Sequence, residues 1–247
     1  MSPILTIEHL NAFYNQGRVK EQILHDVSLE LEEGEILGIV GESGCGKTTL
    51  AKAVLGMNPS VKGKISLAEG CNPQMVFQDP YSSLNPAKTV GWIMEEPLRL
   101  NTKLKKAERK EQVAAMLERV GLSTEIAQRY PRQLSGGQRQ RVCIGTALML
   151  NPRLLIADEP VSALDVTISA QIIDLLRNLQ KEMGLSVVFI SHDLRVVYQI
   201  CKKVVIFRQG RVIESGDVDE IYNTPKESYT RELLEAAGKQ LDFVEQN

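Results

Sequence analysis

Residues 36–55 read ILGIVGESGCGKTTLAKAVL, and this stretch decides the fold. Its centre, Gly41-Glu42-Ser43-Gly44-Cys45-Gly46-Lys47-Thr48-Thr49, fits the phosphate-loop pattern G-x-x-x-x-G-K-[ST]. The apolar run Ile36–Val40 before it predicts a buried strand, and residues 50–55 after it favour a helix. Strand, glycine-rich loop and helix in this order predict an α/β domain that binds a nucleoside triphosphate.

The residue types of this loop suit phosphate chemistry. Its three glycines lack a Cβ, so the backbone can fold tightly and turn its N–H groups toward phosphate oxygens. The helix that follows points its positive end at the same oxygens. We expect Lys47 to bridge the β- and γ-phosphates and the Thr48 hydroxyl to hold Mg²⁺. Thr49 is a weaker candidate, for the α-phosphate.

Composition sets the broad class. The chain has 247 residues, 43% of them hydrophobic, which is enough for one large α/β domain or two small ones. A net charge of -2 gives no electrostatic argument for nucleic-acid binding. The start of the chain lacks the pattern of a secretion signal, no apolar run is long enough for a membrane span, and the four cysteines are scattered. We therefore expect a soluble cytoplasmic protein with reduced thiols.

The middle of the chain predicts a helical insertion. Residues from about 90 to 129 show no strand signal, and Val113, Met116, Leu117 and Val120 recur at the spacing of one helix face. A second helix is predicted over 169–183. The segment 78–86, which is rich in turn formers, is predicted to be a loop, as are residues 15–22. Predicted strands cover 4–7, 23–31, 64–67, 74–77, 153–157, 186–190, 204–207 and 211–214, with the pair 64–67 and 74–77 joined by a turn.

Three polar clusters each follow an apolar strand: the loop at 41–48, Asp158-Glu159 and Ser191-His192. Because ligands bind at the carboxyl edge of parallel sheets, we expect these clusters to converge in space. Asp158 is a candidate for the Mg²⁺ shell, Glu159 for polarising the attacking water, and His192 for contacting the γ-phosphate. Gln78 could join the Mg²⁺ shell. Taken singly, such residues are more often surface groups or helix caps; their joint position favours a site.

Tyr14 has two interpretations. An exposed aromatic pair, Phe13-Tyr14, could stack on a purine base. The same pair could be a core aromatic at the end of a strand, and spacing alone does not separate the two.

The segment Leu134-Ser135-Gly136-Gly137-Gln138 indicates a family. Together with the phosphate loop, Gln78, Asp158-Glu159, Ser162-Ala163-Leu164-Asp165 and His192, it makes the chain resemble the ATP-binding subunits of ABC transporters. The stretches at 74–80, 83–86 and 229–234 are similar to the peptide/nickel importer subfamily.

That resemblance implies an architecture and a site. It implies one ATP-binding domain over residues 1–247, with a RecA-like core of mostly parallel sheet at about 1–80 and 140–247. A small antiparallel β subdomain and a helical subdomain at about 81–139 complete it. It also implies that Tyr14 stacks on adenine, that the 134–138 segment meets the γ-phosphate held by an opposite subunit, and that Asp165 lies at that interface.

The resemblance further implies partners. These are a second ATPase subunit, favoured to be a paralogue, two transmembrane permease subunits and an extracytoplasmic binding protein. The chain is then expected at the cytoplasmic face of the cell membrane, where ATP and Mg²⁺ power import of peptides or of nickel or other metal complexes. The alternative is a soluble ABC-type ATPase acting on ribosomes or DNA, and a phosphate-loop kinase would leave residues 134–138 unexplained.

Overall fold

The computed structural model describes residues 3–16, 19–57 and 60–238. Residues 1–2, 17–18, 58–59 and 239–247 lie outside it. The strands are β1 Pro3–Gln16, β2 Val19–Glu32, β3 Ile36–Val40, β4 Val61–Leu67, β5 Gln74–Val76, β6 Leu154–Asp158, β7 Ser186–Ser191, β8 Lys203–Arg208 and β9 Arg211–Asp217. The helices are α1 Lys47–Val54, α2 Pro80–Ser83, α3 Val90–Asn101, α4 Lys106–Arg119, α5 Gly136–Leu148, α6 Val166–Met183, α7 Leu194–Ile200, α8 Val218–Asn223 and α9 Ser228–Gly238.

A six-stranded sheet in the order β5-β6-β7-β3-β8-β9 forms the centre of the fold. All neighbouring strands are parallel except β9, which returns antiparallel to β8 through a turn at Gln209-Gly210. Every residue of β3, β6 and β7 is buried, as their unbroken apolar runs predicted. In register, Val40 pairs with Ser191 and Asp158 with Ile190, so these three strands end side by side.

A second sheet of three antiparallel strands, in the order β2-β1-β4, packs its apolar residues against one face of the large sheet. The predicted strands at 64–67 and 74–77 are present as β4 and β5, but they do not pair with each other: β4 pairs with β1, and β5 runs parallel to β6. Two short apolar runs around a Gly/Asn/Pro turn look alike whether they pair with each other or join different sheets. The local sequence signal therefore did not distinguish the two.

Two predicted loops contain regular structure, one for most of its length and the other in part. β1 continues to Gln16 and β2 begins at Val19, so most of the predicted loop 15–22 is a strand pair, although residues 17–18 lie outside the described part. Backbone pairing, and not apolar alternation, stabilises it. In the segment 78–86, Pro80 opens the single-turn helix α2, and the Asp79 side chain accepts the Tyr81 N–H at 2.9 Å. An Asp-Pro pair is a favourable helix start, and composition alone had suggested only a loop.

The predicted helical block is present as α3 and α4, followed by two short 3₁₀ turns. Val113, Met116 and Leu117 face its core, and Gly121, with φ 71°, follows the end of α4. α6 begins three residues earlier than predicted, because Asp165 caps it by accepting the Ile168 N–H. None of the described helices combines the length and the apolar composition needed to cross a bilayer.

Candidate nucleotide site

The phosphate loop leaves β3 and enters α1 through left-handed glycines. Gly44 and Gly46 have φ values of 79° and 110°, a region that other residues rarely adopt. Gly41 needs glycine for a different reason, since a Cβ there would lie 2.1 Å from the carbonyl oxygen of Phe207. The loop is thus both tightly curled and pressed against the end of β8.

The Lys47 side chain is buried against the backbone of the phosphate loop. Its side chain is 5% exposed, and Nζ donates to the carbonyl oxygens of Gly41 at 2.7 Å and of Glu42 at 2.8 Å. These two carbonyls position the ammonium group at the loop. A localised positive charge beside inward-turned amides is suited to phosphate.

Thr48 and Asp158 join β6 to the loop. The Thr48 hydroxyl donates to Asp158 Oδ2 at 2.7 Å across 110 residues of sequence. Asp158 is only 3% exposed, and this burial raises the pKa of its carboxyl, although the Thr48 hydrogen bond acts in the opposite direction. The pair brings two oxygen ligands together at the sheet edge.

Glu159 has a strained backbone that directs its side chain. Its φ is 47°, and its N–H donates to the carbonyl of Ile190 at 2.9 Å, which holds this conformation. Glu159 Oε2 accepts a hydrogen bond from Gln78 Nε2 at 2.9 Å and lies 3.3 Å from His192 Nδ1. Three side chains predicted from sequence to converge therefore meet at one carboxylate oxygen.

A cavity of about 300 Å³ connects these groups. It is lined by Tyr14, Glu21, Ile23, Ser43, Gly44, Gly46, Lys47, Thr48, Thr49, Gln78 and Glu159. Tyr14 stands at the rim with 36% of its surface exposed, which favours the stacking interpretation over a core aromatic. Among the residues predicted for this site, those that do not line the cavity are Gly41, Glu42, Cys45, Asp158 and His192. Glu21 and Ile23 also line the cavity but were not predicted from the sequence. Glu21 pairs with Tyr14 across β1 and β2, and this pairing is seen in the structure and not in the sequence.

The segment Leu134–Gln138 lies apart from this cavity. None of its residues is among the described residues that line the cavity. Ser135 is the N-cap of α5: its hydroxyl accepts the Gln138 N–H at 3.3 Å, and its own N–H donates to Gln138 Oε1 at 3.0 Å. Gly137 leaves room for α6, since a Cβ there would lie 2.6 Å from Ile168 Cγ2. The segment thus exposes a serine and a helix start.

Residues 162–165 lie on the other side of Glu159. The Ser162 hydroxyl donates to the Glu159 carbonyl at 3.1 Å, and Asp165 caps α6. Ser162, Leu164, Glu159 and His192 line a second cavity of about 360 Å³. Glu159 therefore separates the loop cavity from the 162–165 segment.

The model of the family described as ABC transporter matches residues 24–162, more than half of the chain. The chain belongs to the ABC transporter family. As an ABC protein it binds ATP, and its activity is ATP hydrolysis coupled to transport. The family and the α/β phosphate-loop fold predicted from sequence are confirmed.

Two similar proteins and one similar solved structure show which members of the family this chain resembles. It is 48% identical over 227 residues to the dipeptide transport ATP-binding protein DppF of Haemophilus influenzae, covering 86% of this chain and 69% of that protein. It is 48% identical over 225 residues to the oligopeptide transport ATP-binding protein OppF of Escherichia coli K12, covering 85% and 67%. Its fold matches a dimeric, post-hydrolysis structure of the ATP-binding cassette MJ0796 bound to ADP and Pi, with TM-score 0.78, 28% identity and coverage of 87% and 98%.

Proposed function

We propose that this chain is the ATP-hydrolysing subunit of a peptide importer at the cytoplasmic face of the cell membrane, and that it contains only half of each working nucleotide site. One observation carries the proposal. The phosphate loop, Tyr14, Gln78 and Glu159 share one cavity, while the 134–138 segment exposes Ser135 elsewhere.

The cavity accounts for ATP binding. The amides of residues 43–49 and the start of α1 face the phosphates, and Lys47 neutralises charge on the β- and γ-phosphates. Tyr14 at the rim stacks on adenine, since its ring is exposed where a base would project.

Mg²⁺ fits the oxygen ligands beside the loop. Among the described residues no cluster of three His, Cys, Asp or Glu side chains could hold a metal ion by itself. Thr48 and Asp158, already 2.7 Å apart, would hold Mg²⁺ together with Gln78 and phosphate oxygens. When bound, Mg²⁺ offsets the phosphate charge.

Glu159 serves as the catalytic carboxylate. It accepts a proton from the water that attacks the γ-phosphorus, as the bond to the leaving ADP oxygen breaks. Gln78 and His192 orient the same carboxylate oxygen and brace the water, which explains why they meet there. His192 also contacts the γ-phosphate.

Residues 134–138 act on a second subunit. Ser135 caps the 13-residue helix α5 and Gly136 and Gly137 begin it, so the Ser135 hydroxyl, the glycine amides and the helix dipole would face an anion together. In a head-to-tail pair that anion is the γ-phosphate on the partner, and the segment Ser162–Asp165 links the two sites. The helical subdomain, about 81–139, carries this segment and contacts the permease.

The relatives' names support the choice of cargo and partners. Both relatives are transport ATP-binding proteins for peptides, which favours peptides over nickel or metal complexes. We infer two permease subunits, an extracytoplasmic binding protein and a second ATPase subunit, favoured to be a paralogue.

The test is purification of the tagged chain from detergent-solubilised membranes, with Lys47→Ala as control. We expect recovery of permease subunits and a second ATPase, and Mg²⁺-dependent ATP hydrolysis that Lys47→Ala reduces at least tenfold. In vesicles with the binding protein, peptides and not Ni²⁺ should stimulate hydrolysis. Recovery with ribosomes or DNA instead would establish the soluble alternative.

A further inference from the structure

Glu21 adds a carboxylate to the end of the loop cavity where Tyr14 stands. The two residues are direct partners across β1 and β2, and both line the cavity. Residues paired in this way project from the same face of a sheet and lie within reach of each other. Glu21 is exposed and Tyr14 is 36% exposed, so both can meet a molecule in the cavity. One end of the cavity thus combines an aromatic ring with an acidic group.

The strand that carries Glu21 is attached to the phosphate loop. Ile23 packs over the loop, since a Cβ on Gly46 would lie 3.5 Å from Ile23 Cγ2. The backbone adds a second link, in which the His25 N–H donates to the Gly210 carbonyl and the Gly210 N–H donates to the Cys45 carbonyl, each at 2.8 Å. The distance between β2 and the loop is therefore fixed by the fold.

Glu21 lies at the nucleoside end of the cavity. It precedes Ile23 by two residues on the same face of β2, which is about 7 Å along the strand from the residue that touches the loop. With the phosphates on the loop beside Lys47 and the base on Tyr14, the carboxylate faces the nucleoside and stays away from the like-charged phosphates.

The chemistry of a carboxylate limits what Glu21 can recognise. An ionised carboxylate accepts hydrogen bonds and donates none. At neutral pH the donors of ATP are the ribose hydroxyls and the 6-amino group of adenine, all of which belong to the nucleoside. Stacking on Tyr14 does not select among nucleotides in this way, because every base has a π face.

We propose that Glu21 is a specificity-determining residue of the nucleotide site, which accepts a hydrogen bond from the nucleoside, either from a ribose hydroxyl or from the 6-amino group. The inference rests on the proposed function, because it takes the triphosphate to be bound with its phosphates on the loop and its base on Tyr14.

The test compares nucleotides that each lack one donor. We measure kcat/KM for hydrolysis by the assembled complex with ATP, 2′-deoxy-ATP, 3′-deoxy-ATP and ITP, in which a carbonyl replaces the 6-amino group. With the parent chain, kcat/KM should be about fivefold lower for the nucleotide that lacks the donor used. Glu21→Ala should lower kcat/KM for ATP about fivefold and remove that difference. Glu30→Ala, an exposed glutamate on the same strand that does not line the cavity, is the matched control and should keep the parent ratios.

The ratios between nucleotides decide the result. Selectivity lost against a deoxy nucleotide assigns the contact to that hydroxyl, and selectivity lost against ITP assigns it to the 6-amino group; either supports the inference. If Glu21→Ala leaves every ratio at the parent value, or changes kcat/KM equally for all four nucleotides, the inference is wrong. It is equally wrong if Glu30→Ala changes the ratios to the same extent.

Lys47→Ala separates this inference from the proposed function. Hydrolysis of ATP at the parent rate in Lys47→Ala would overturn the proposed function. Loss of hydrolysis there, together with unchanged ratios in Glu21→Ala, would overturn only the role of Glu21.

Discussion

The phosphate loop and the segment Leu134–Gln138 are both glycine-rich turns that open a helix, yet their glycines serve different purposes. In the phosphate loop, Gly44 and Gly46 adopt positive φ, so the backbone itself needs them. Gly136 and Gly137 lie within helix α5, where neither has a positive φ, and Gly137 is needed for lack of space. A Cβ on Gly137 would collide with Ile168. Gly44 and Gly46 thus allow the loop to curl, whereas Gly136 and Gly137 form the regular first turn of a helix.

The polar groups around the two turns also differ. Lys47 donates to two carbonyls of the loop itself, and Thr48 donates to a carboxylate on β6. Ser135 is exposed, and within the described residues its hydrogen bonds are with Gln138 and Arg139 of its own helix start. Hence the loop is organised without a partner, whereas the segment has a surface that another molecule can cover.

Glu159→Gln should have the largest effect. Loss of the catalytic carboxylate is expected to lower kcat by about 10²–10⁴-fold, while ATP binding persists because the loop is intact. The chain should then accumulate as a closed pair with ATP, measured by size-exclusion chromatography. Unchanged turnover in the assembled complex would remove Glu159 from this role.

Ser135→Arg tests the other turn. We expect hydrolysis at the partner's site to fall about 10–100-fold, because a bulky side chain blocks the helix start from the γ-phosphate. Binding of labelled ATP to the chain's own loop should be unchanged. Ser123→Arg, at the exposed cap of a 3₁₀ turn, is the matched control. Loss of ATP binding to the same chain would contradict the assignment across subunits.

Gly137→Ala and Gly136→Ala measure the packing difference. The added methyl at 137 meets Ile168 Cγ2 at 2.6 Å, on a stiff β-branched side chain, whereas at 136 it meets the flexible end of Leu164 at 3.3 Å. Gly137→Ala should therefore be less stable than Gly136→Ala by about 1–3 kcal/mol in urea unfolding. Adding Ile168→Leu should recover most of the difference. Equal stabilities would mean that space does not explain Gly137.

Asp158→Asn should have the smallest effect on stability, and a favourable one. Because burial raises the pKa of Asp158 above 3.8, the folded chain keeps this proton at pH values where the unfolded chain has lost it. The free energy of unfolding thus decreases as pH rises through that window. At pH 7 without nucleotide, calorimetry should show a Tm higher by a few degrees, about 1 kcal/mol, while hydrolysis is lost. Near pH 3 the variant and parent should have similar Tm, and a lower Tm at pH 7 would contradict the assignment.

Much of the fold and the site could be predicted because their signals are local. The strand at 36–40, the loop at 41–49 and the run at 154–158 before Asp158-Glu159 are each contained in a few consecutive residues. Strand pairing was harder to predict, both between distant segments and within the hairpin of β1 and β2. β4 and β5 have no sequence feature that names β1 and β6 as their neighbours, and residues 19–22 pair with β1 through backbone groups that every residue has.

By itself, the amino-acid sequence determined the family and the α/β phosphate-loop fold, and it indicated which residues we propose to bear the chemistry, because the glycines, Lys47 and the acidic pair lie in short local motifs. Only the tertiary structure decided how they are held: the positive φ of Glu159, the 2.7 Å hydrogen bond from the Thr48 hydroxyl to Asp158, and the burial of Lys47. The physical reason is that side-chain position and burial depend on contacts between segments far apart in the chain, and no local pattern records which segments meet.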